Sequence, residues 1–314
     1  MNNKFSYQQY QLKNDTVELT LLPDYGCYWT QLKFKLDNNW VDVLRPIPNQ
    51  EELMREPFGS YLMAPWANRL ENSCFISEGN KYKLKNNFPD GTAIHGDVRH
   101  QSWKIENENK CSLELSLKTE DKPDFNYPFN LSFSHSIQIK ENGLLVHLTI
   151  NNLDSRSVPV GFGYHPFFKR CLTNKDKDIT LNMKADEYYP SLNQIPSEKS
   201  RKVSGGRDFR EPHLFADPHL DDNFTQLKDQ TIELIYSGSG VKICLELDSI
   251  FKHVVIYAPN DETGNPKDFV AVEPQTHMVN GFNFKEQGWE NTGVKMLPPG
   301  ESWGGNLEIN FEQL

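Results

Sequence analysis

The sequence predicts an all-β protein: a large antiparallel β-sandwich with few short helices. Three observations lead there. Apolar and polar residues alternate over long stretches, the period-two pattern of strands with one buried face. Clusters of Pro, Gly, Asn and Asp interrupt those stretches at short intervals, as turns between strands require. Helical periodicity is scarce.

In chain order, TVELTLLP (16–23) and TQLKFKL (30–36) open the series. EELMRE (51–56) is the best helical candidate, and it is short. SLELSLK puts Leu113, Leu115 and Leu117 on one face. LSFSHSIQIK puts Leu131, Phe133, His135, Ile137 and Ile139 on one face and its serines on the other. GLLVHLTINN (143–152), VKICLELD (241–248), HVVIYA (253–258) and NLEINF (306–311) complete the set. PDG at 89–91, ENG at 141–143 and PPG at 298–300 supply turns. Many strands at regular spacing suggest a sandwich. The segment 186–222 is polar and weakly periodic. It reads as long loops over the sheets, where functional residues tend to lie. No linker or repeat divides the chain, so residues 1–314 are expected to form a single domain.

Composition narrows the function. The 314 residues are 37% hydrophobic and 12% aromatic, enough for a sizeable core and against general disorder. A net charge of −10 lacks the basic excess of a nucleic-acid binder. No stretch approaches the roughly 18 apolar residues of a membrane span. The opening MNNKFSYQQYQLKN lacks the apolar core of a signal peptide. The five cysteines (27, 74, 111, 171, 244) are scattered and form no CxxC, which fits a reduced, cytoplasmic setting. The expected partner is therefore a small molecule, with neither nucleic acid nor membrane, for a monomer or a homodimer.

Four stretches combine titratable residues with aromatic or glycine neighbours: APWANRL (64–70), AIHGDVRHQSW (93–103), VGFGYHPFF (160–168) and FVAVEPQT (269–276). Glu273 ends an apolar strand-like run, and burial there would raise its pKa and suit it to general-base work. A strand-end glutamate facing water is the plainer alternative. His165 lies between Gly161, Gly163 and Pro166, with Tyr164, Phe167 and Phe168 offering flat faces. It is either a proton donor near neutral pH or a satisfied core histidine; Gly161 and Gly163 would let a ligand approach closely. His135 and His147 lie on plain alternating strands and read as structural. Asn68 and Arg69 could orient ring or hydroxyl oxygens. Trp66 could pack on a sugar face or in the core. His213, Asp217, His219, Asp221 and Asp222 crowd together, and His95 and His100 stand five apart, but neither set has zinc-site spacing. No metal and no cofactor are expected. GxSxG, Walker A and strand-linked GxGxxG motifs are absent, which removes the usual support for hydrolase, NTPase and dinucleotide readings.

Taken together these stretches resemble the aldose 1-epimerase (mutarotase) family. ANRLENSCFISEGNKYKL is similar to its Asn-Arg motif with a following hairpin, and AIHGDVRHQSWKI to its His-Gly segment. GYHPFF resembles its second histidine motif, HLDDNF its acidic sugar-binding motif and AVEPQT its glutamate motif. LPPGESWGGNLEINF resembles its closing strand. The resemblance implies a galactose mutarotase-like supersandwich that interconverts α and β anomers of free aldohexoses such as glucose or galactose. It implies Glu273 as base, His165 as acid and His95 assisting at the ring oxygen. Asn68, Arg69 and Asp221 would hold the sugar, with Trp66 and Tyr164 beside it. The doubled acid in HLDDNF leaves Asp221 and Asp222 as competitors, with Asp221 favoured. Two alternatives stay open: a hexose-6-phosphate 1-epimerase, for which Arg99, Lys169 and Arg170 are candidate contacts, and a non-catalytic carbohydrate-binding β-sandwich. An attraction between Glu273 and His165 is expected to keep one deprotonated and the other protonated.

Overall fold

A computed structural model describes residues 6–54, 58–215 and 220–314. Among them, fifteen strands join into one sheet in which every pairing is antiparallel. Its path runs from Lys104–Glu108 through Ser112–Lys118, Leu131–Lys140, Gly143–Asn152, Ser302–Gln313, Val241–Leu247, Leu220–Tyr236 and His253–Ala258 to Phe269–Gln275. Gly163–Tyr164 and Leu62–Met63 close that end. A separate sheet holds Tyr10–Lys13, Val17–Leu22, Tyr28–Leu36 and Asn39–Asp42.

The alternation read from sequence is what buries one face. Leu131, Phe133, His135, Ile137 and Ile139 are all buried along Leu131–Lys140. Leu307, Ile309 and Phe311 do the same on Ser302–Gln313. The small sheet turns Leu19, Leu21, Leu32 and Phe34 into the same core, where Phe34 stacks on Phe311 with ring centroids 5.2 Å apart. Two packed sheet faces make the sandwich.

Two expectations need correction. The described part of EELMRE is not α-helical: Gln50–Met54 is a 3-10 turn, and the following residues, 55–57, lie outside those described. Nor is 186–222 all loop. Thr180–Tyr189 runs into it as a strand, and Leu220–Tyr236 begins before it ends. Between them lies a hairpin, Ser191–Leu192 with Ile195–Pro196.

Candidate active site

The site is set by strand register. Phe269–Gln275 is buried along its whole length. Gly163 pairs with Gln275, and Phe167 pairs with Ala271; continuing that register puts His165 opposite Glu273. Pro166 has no N–H to give, so the ladder is interrupted there. The His165 N–H bonds instead to the Tyr61 carbonyl at 3.0 Å. The outcome is that His165 Nε2 stands 3.0 Å from Glu273 Oε1.

The same logic separates Asp221 from Asp222. Val255 pairs with both Glu273 and Asn223, and Asp221 pairs with Tyr257. Directly opposed residues share a face, and neighbours along a strand alternate. Asp221 and Tyr257 therefore share the face of Glu273, and both line the same cleft. Asp222 points the other way and is ion-paired with Arg207 at 2.9 Å.

A third contribution comes from two interlocked loops. Arg69 pairs with Ile94, and the His95 N–H bonds to the Asn68 carbonyl at 3.0 Å. Both Asn68 and His95 have positive φ, a strained conformation that often accompanies functional sites. The Asn68 Oδ1 accepts from the Arg69 N–H at 2.9 Å, and Arg69 Nε donates to Asp90 at 2.9 Å. The His95 ring meets the His165 ring edge-on with centroids 5.0 Å apart.

These elements enclose a cleft of about 510 Å³ lined by Asn68, Arg69, His95, His165, Asp221 and Glu273, together with Tyr61, Tyr257 and Arg99. Its size is in the range of small-molecule sites. Six of the eight residues singled out from sequence meet there. Trp66 and Tyr164 do not, and their assignment as sugar contacts is corrected. Trp66 is fully buried, donates Nε1 to the Ala93 carbonyl and packs on Tyr127. Tyr164 lies in the core among Phe162, Phe251 and His135. Gly161 serves the protein, not a ligand: a Cβ there would fall 2.0 Å from the His277 ring. Gly163 likewise faces Pro274, Met63 and Gln275.

Burial governs the acid–base pair. It raises Glu273 well above the usual carboxylate range, with help from the neighbouring Asp221 charge. It lowers His165 to about 3, assisted by the positive charge of Arg99. The contact expected between the two is present, but burial opposes charge separation. Burial therefore favours the neutral form of each partner. Gln275 acts the other way. Its Nε2 donates to Glu273 Oε2 at 3.0 Å and favours the carboxylate.

Sequence reasoning missed Gln275 and His277. Gln275 lies two residues after Glu273, on the same strand face, so the period-two rule was the available signal. His277 Nε2 accepts the Ala67 N–H at 3.0 Å, and its Nδ1 donates to the Met278 carbonyl at 2.7 Å. It thereby ties the Asn-Arg loop to the end of the glutamate strand. The Thr276 hydroxyl accepts the Phe162 N–H at 2.9 Å and ties in the histidine segment as well. Of the possible metal cluster, Asp217 and His219 lie outside the described residues, and Asp222 is held by Arg207. His213 sits in a strand pair with Leu181. His100 faces Tyr25, Nδ1 to hydroxyl 3.4 Å.

The aldose 1-epimerase family profile matches residues 8–310. The chain belongs to the aldose 1-epimerase family. The Escherichia coli protein YihR is 29% identical over 241 residues, covering 76% of each chain. Galactose mutarotase of Sus scrofa is 24% identical over 322 residues, covering 94% of this chain and 91% of that one. A galactose mutarotase-like protein from Clostridium acetobutylicum superposes with a TM-score of 0.85 at 22% identity, covering 98% of this chain and 96% of that one. An aldose epimerase homologue from C. elegans superposes with a TM-score of 0.81 at 18% identity, covering 98% of this chain and 100% of that one. The aldose 1-epimerase chain thus has the galactose mutarotase-like fold. Among the described residues, no helix is long and apolar enough to cross a membrane.

Proposed function

We propose that this chain interconverts the α and β anomers of a free aldose, such as glucose or galactose. The observation that carries the reading is the 3.0 Å contact between His165 Nε2 and Glu273 Oε1 inside the cleft. The two oxygens that must exchange protons in anomer interconversion, the C1 hydroxyl and the ring oxygen, are bonded to one carbon. Two protein groups already in contact can reach both at once.

Glu273, as carboxylate, takes the proton from the C1 hydroxyl. The O–H electrons form the aldehyde C=O bond while the C1–ring oxygen bond breaks. The electrons of that bond go to the ring oxygen, which takes a proton from protonated His165. Rotation about C1–C2 presents the other face of the aldehyde, and the ring closes with the proton roles reversed. One proton transfer across the 3.0 Å contact interconverts the neutral pair and the reacting form. Each positioned acid or base is worth roughly 10²–10⁴-fold in rate, and fixed orientation adds to it. Asn68, Arg69, His95 and Asp221 supply donors and acceptors around the ring.

A sugar-binding sandwich without catalysis needs no buried acid–base pair, which weighs against that alternative. Polarimetry of freshly dissolved α-glucose and α-galactose tests the proposal. A relaxation rate that rises in proportion to added protein supports it. Sugar binding with no change in the relaxation rate rejects it.

A further inference from the structure

The hairpin between Thr180–Tyr189 and Leu220–Tyr236 carries a residue that the turn itself does not favour. Leu192 pairs with Ile195, so the tip is Asn193-Gln194. Both residues have positive φ, 50° and 58°, as a type I′ turn requires. Asn suits the first of these positions, but the second is usually glycine. A longer side chain there is strained, and strain of this kind is retained where the side chain has a use.

That use lies in the cleft. Gln194 is exposed, yet its side chain lines the cleft at the mouth. Among the described residues, no protein group bonds its amide. The hairpin holds it on the side of Asp221, since Tyr189, where the strand leaves for the hairpin, pairs with Asn223, two residues from Asp221. Its base is anchored. The Ser197 N–H bonds to the Pro190 carbonyl at 2.9 Å. Pro196 is buried, and Ile195 packs on the cluster of Tyr189, Met278 and Phe284. The Lys199 ammonium sits 4.0 Å over the Trp289 ring. A tip fixed in this way presents its amide at little further cost in ordering.

We propose that Gln194 is a specificity-determining residue, whose amide bonds a hydroxyl of the aldose ring away from C1, beside the hydroxyl held by Asp221. The inference rests on the anomer-interconverting reading above. Glu273 and His165, at the buried floor, hold C1 and the ring oxygen, so a group at the mouth meets the opposite part of the ring. A sugar hydroxyl has a proton to give and lone pairs to fill. The Asp221 carboxylate can only accept, whereas an amide both donates and accepts. Gln194 completes what Asp221 leaves unmet. The hydroxyl it holds takes no part in the bond changes at C1, so the contact is equally strong before and during reaction and acts on KM.

Anomer exchange of glucose and of its 2-, 3-, 4- and 6-deoxy analogues tests this, with the native protein, Gln194→Gly and Leu192→Ser. Glycine suits the turn, so Gln194→Gly should fold with a melting midpoint at or above the native one. Its KM for glucose should rise about three- to tenfold, the worth of one neutral hydrogen bond, with kcat unchanged. One deoxy analogue should lose less than glucose does from this substitution, which marks the hydroxyl that Gln194 bonds. Leu192, on the same hairpin, is 69% exposed and does not line the cleft, and Leu192→Ser should keep the native KM. An unchanged KM in Gln194→Gly, an equal loss for all five sugars, or an equal rise in Leu192→Ser overturns the contact. Calorimetric titration with 1,5-anhydroglucitol, which has no anomeric hydroxyl, reads it without turnover. Weaker binding to Gln194→Gly than to the native protein upholds the contact even if no aldose is turned over, a result that would refute the epimerase reading alone. Equal binding to both overturns it.

Discussion

His165 Nε2 lies 3.0 Å from Glu273 Oε1, while Gln275 donates to the other carboxylate oxygen at the same distance. Both oxygens of the glutamate are thus engaged by protein groups. Glu273→Gln preserves the shape and removes the base. Turnover should fall by about two orders of magnitude or more, with the far-ultraviolet dichroism and the melting transition retained. Turnover near the native value in that variant contradicts the assignment.

His165→Asn should cause a similar loss, because the ring oxygen then lacks its donor. The check is kcat in the folded variant. If activity survives, the acid is His95, whose ring is the next imidazole in the cleft, with centroids 5.0 Å apart.

Gln275→Leu isolates positioning from chemistry. The lost amide donor is the hydrogen bond that lowers Glu273 against its burial. The acidic limb of the kcat/KM profile should move up by about one pH unit or more, the worth of a hydrogen bond to a charged group. KM should change little. An unchanged pH profile would show that Gln275 only fills space.

Acid should unfold this protein early. Burial lowers His135 to about 4, His165 to about 3, His253 to about 3 and His277 to about 4. In the unfolded chain each takes up a proton near about 6.5. Between those values the unfolded state binds more protons, so stability rises with pH. It is fully present above the unfolded value and is lost as pH falls toward the folded ones, by up to about 1.4 kcal/mol per pH unit for each histidine. Glu273, raised by burial, works in the opposite sense, while His95, also lowered by burial, adds to the four. Urea midpoints should therefore drop steeply from about pH 7 to about pH 5, and a flat midpoint contradicts this.

The sequence was most readable where one face of a strand is buried. Leu131–Lys140 and Gly143–Asn152 match the alternating stretches residue for residue. Leu220–Tyr236 was missed because Asp222 to Thr225 are buried in succession and Gln226 takes a positive φ, which breaks the alternation. The helix Gly281–Glu286 is too short for a helical period to show. At the site, Glu273 and His165 stood out as titratable groups among apolar neighbours. Trp66 and Tyr164 were misassigned because composition cannot distinguish an aromatic facing the core from one facing the cleft. Tyr257 and Asp221 needed the strand pairing, since register alone decides which of two adjacent side chains enters the cleft.

Magnetisation exchange between the α and β anomeric protons of glucose at equilibrium tests the Glu273–His165 pair most directly. It should be measured with native protein, Glu273→Gln, His165→Asn and the double variant. Groups acting as one unit are strongly non-additive, so the double variant should lose about as much as either single one. Losses that multiply, or a double variant that still exchanges the anomers at the native rate, would contradict a shared proton path between these two residues.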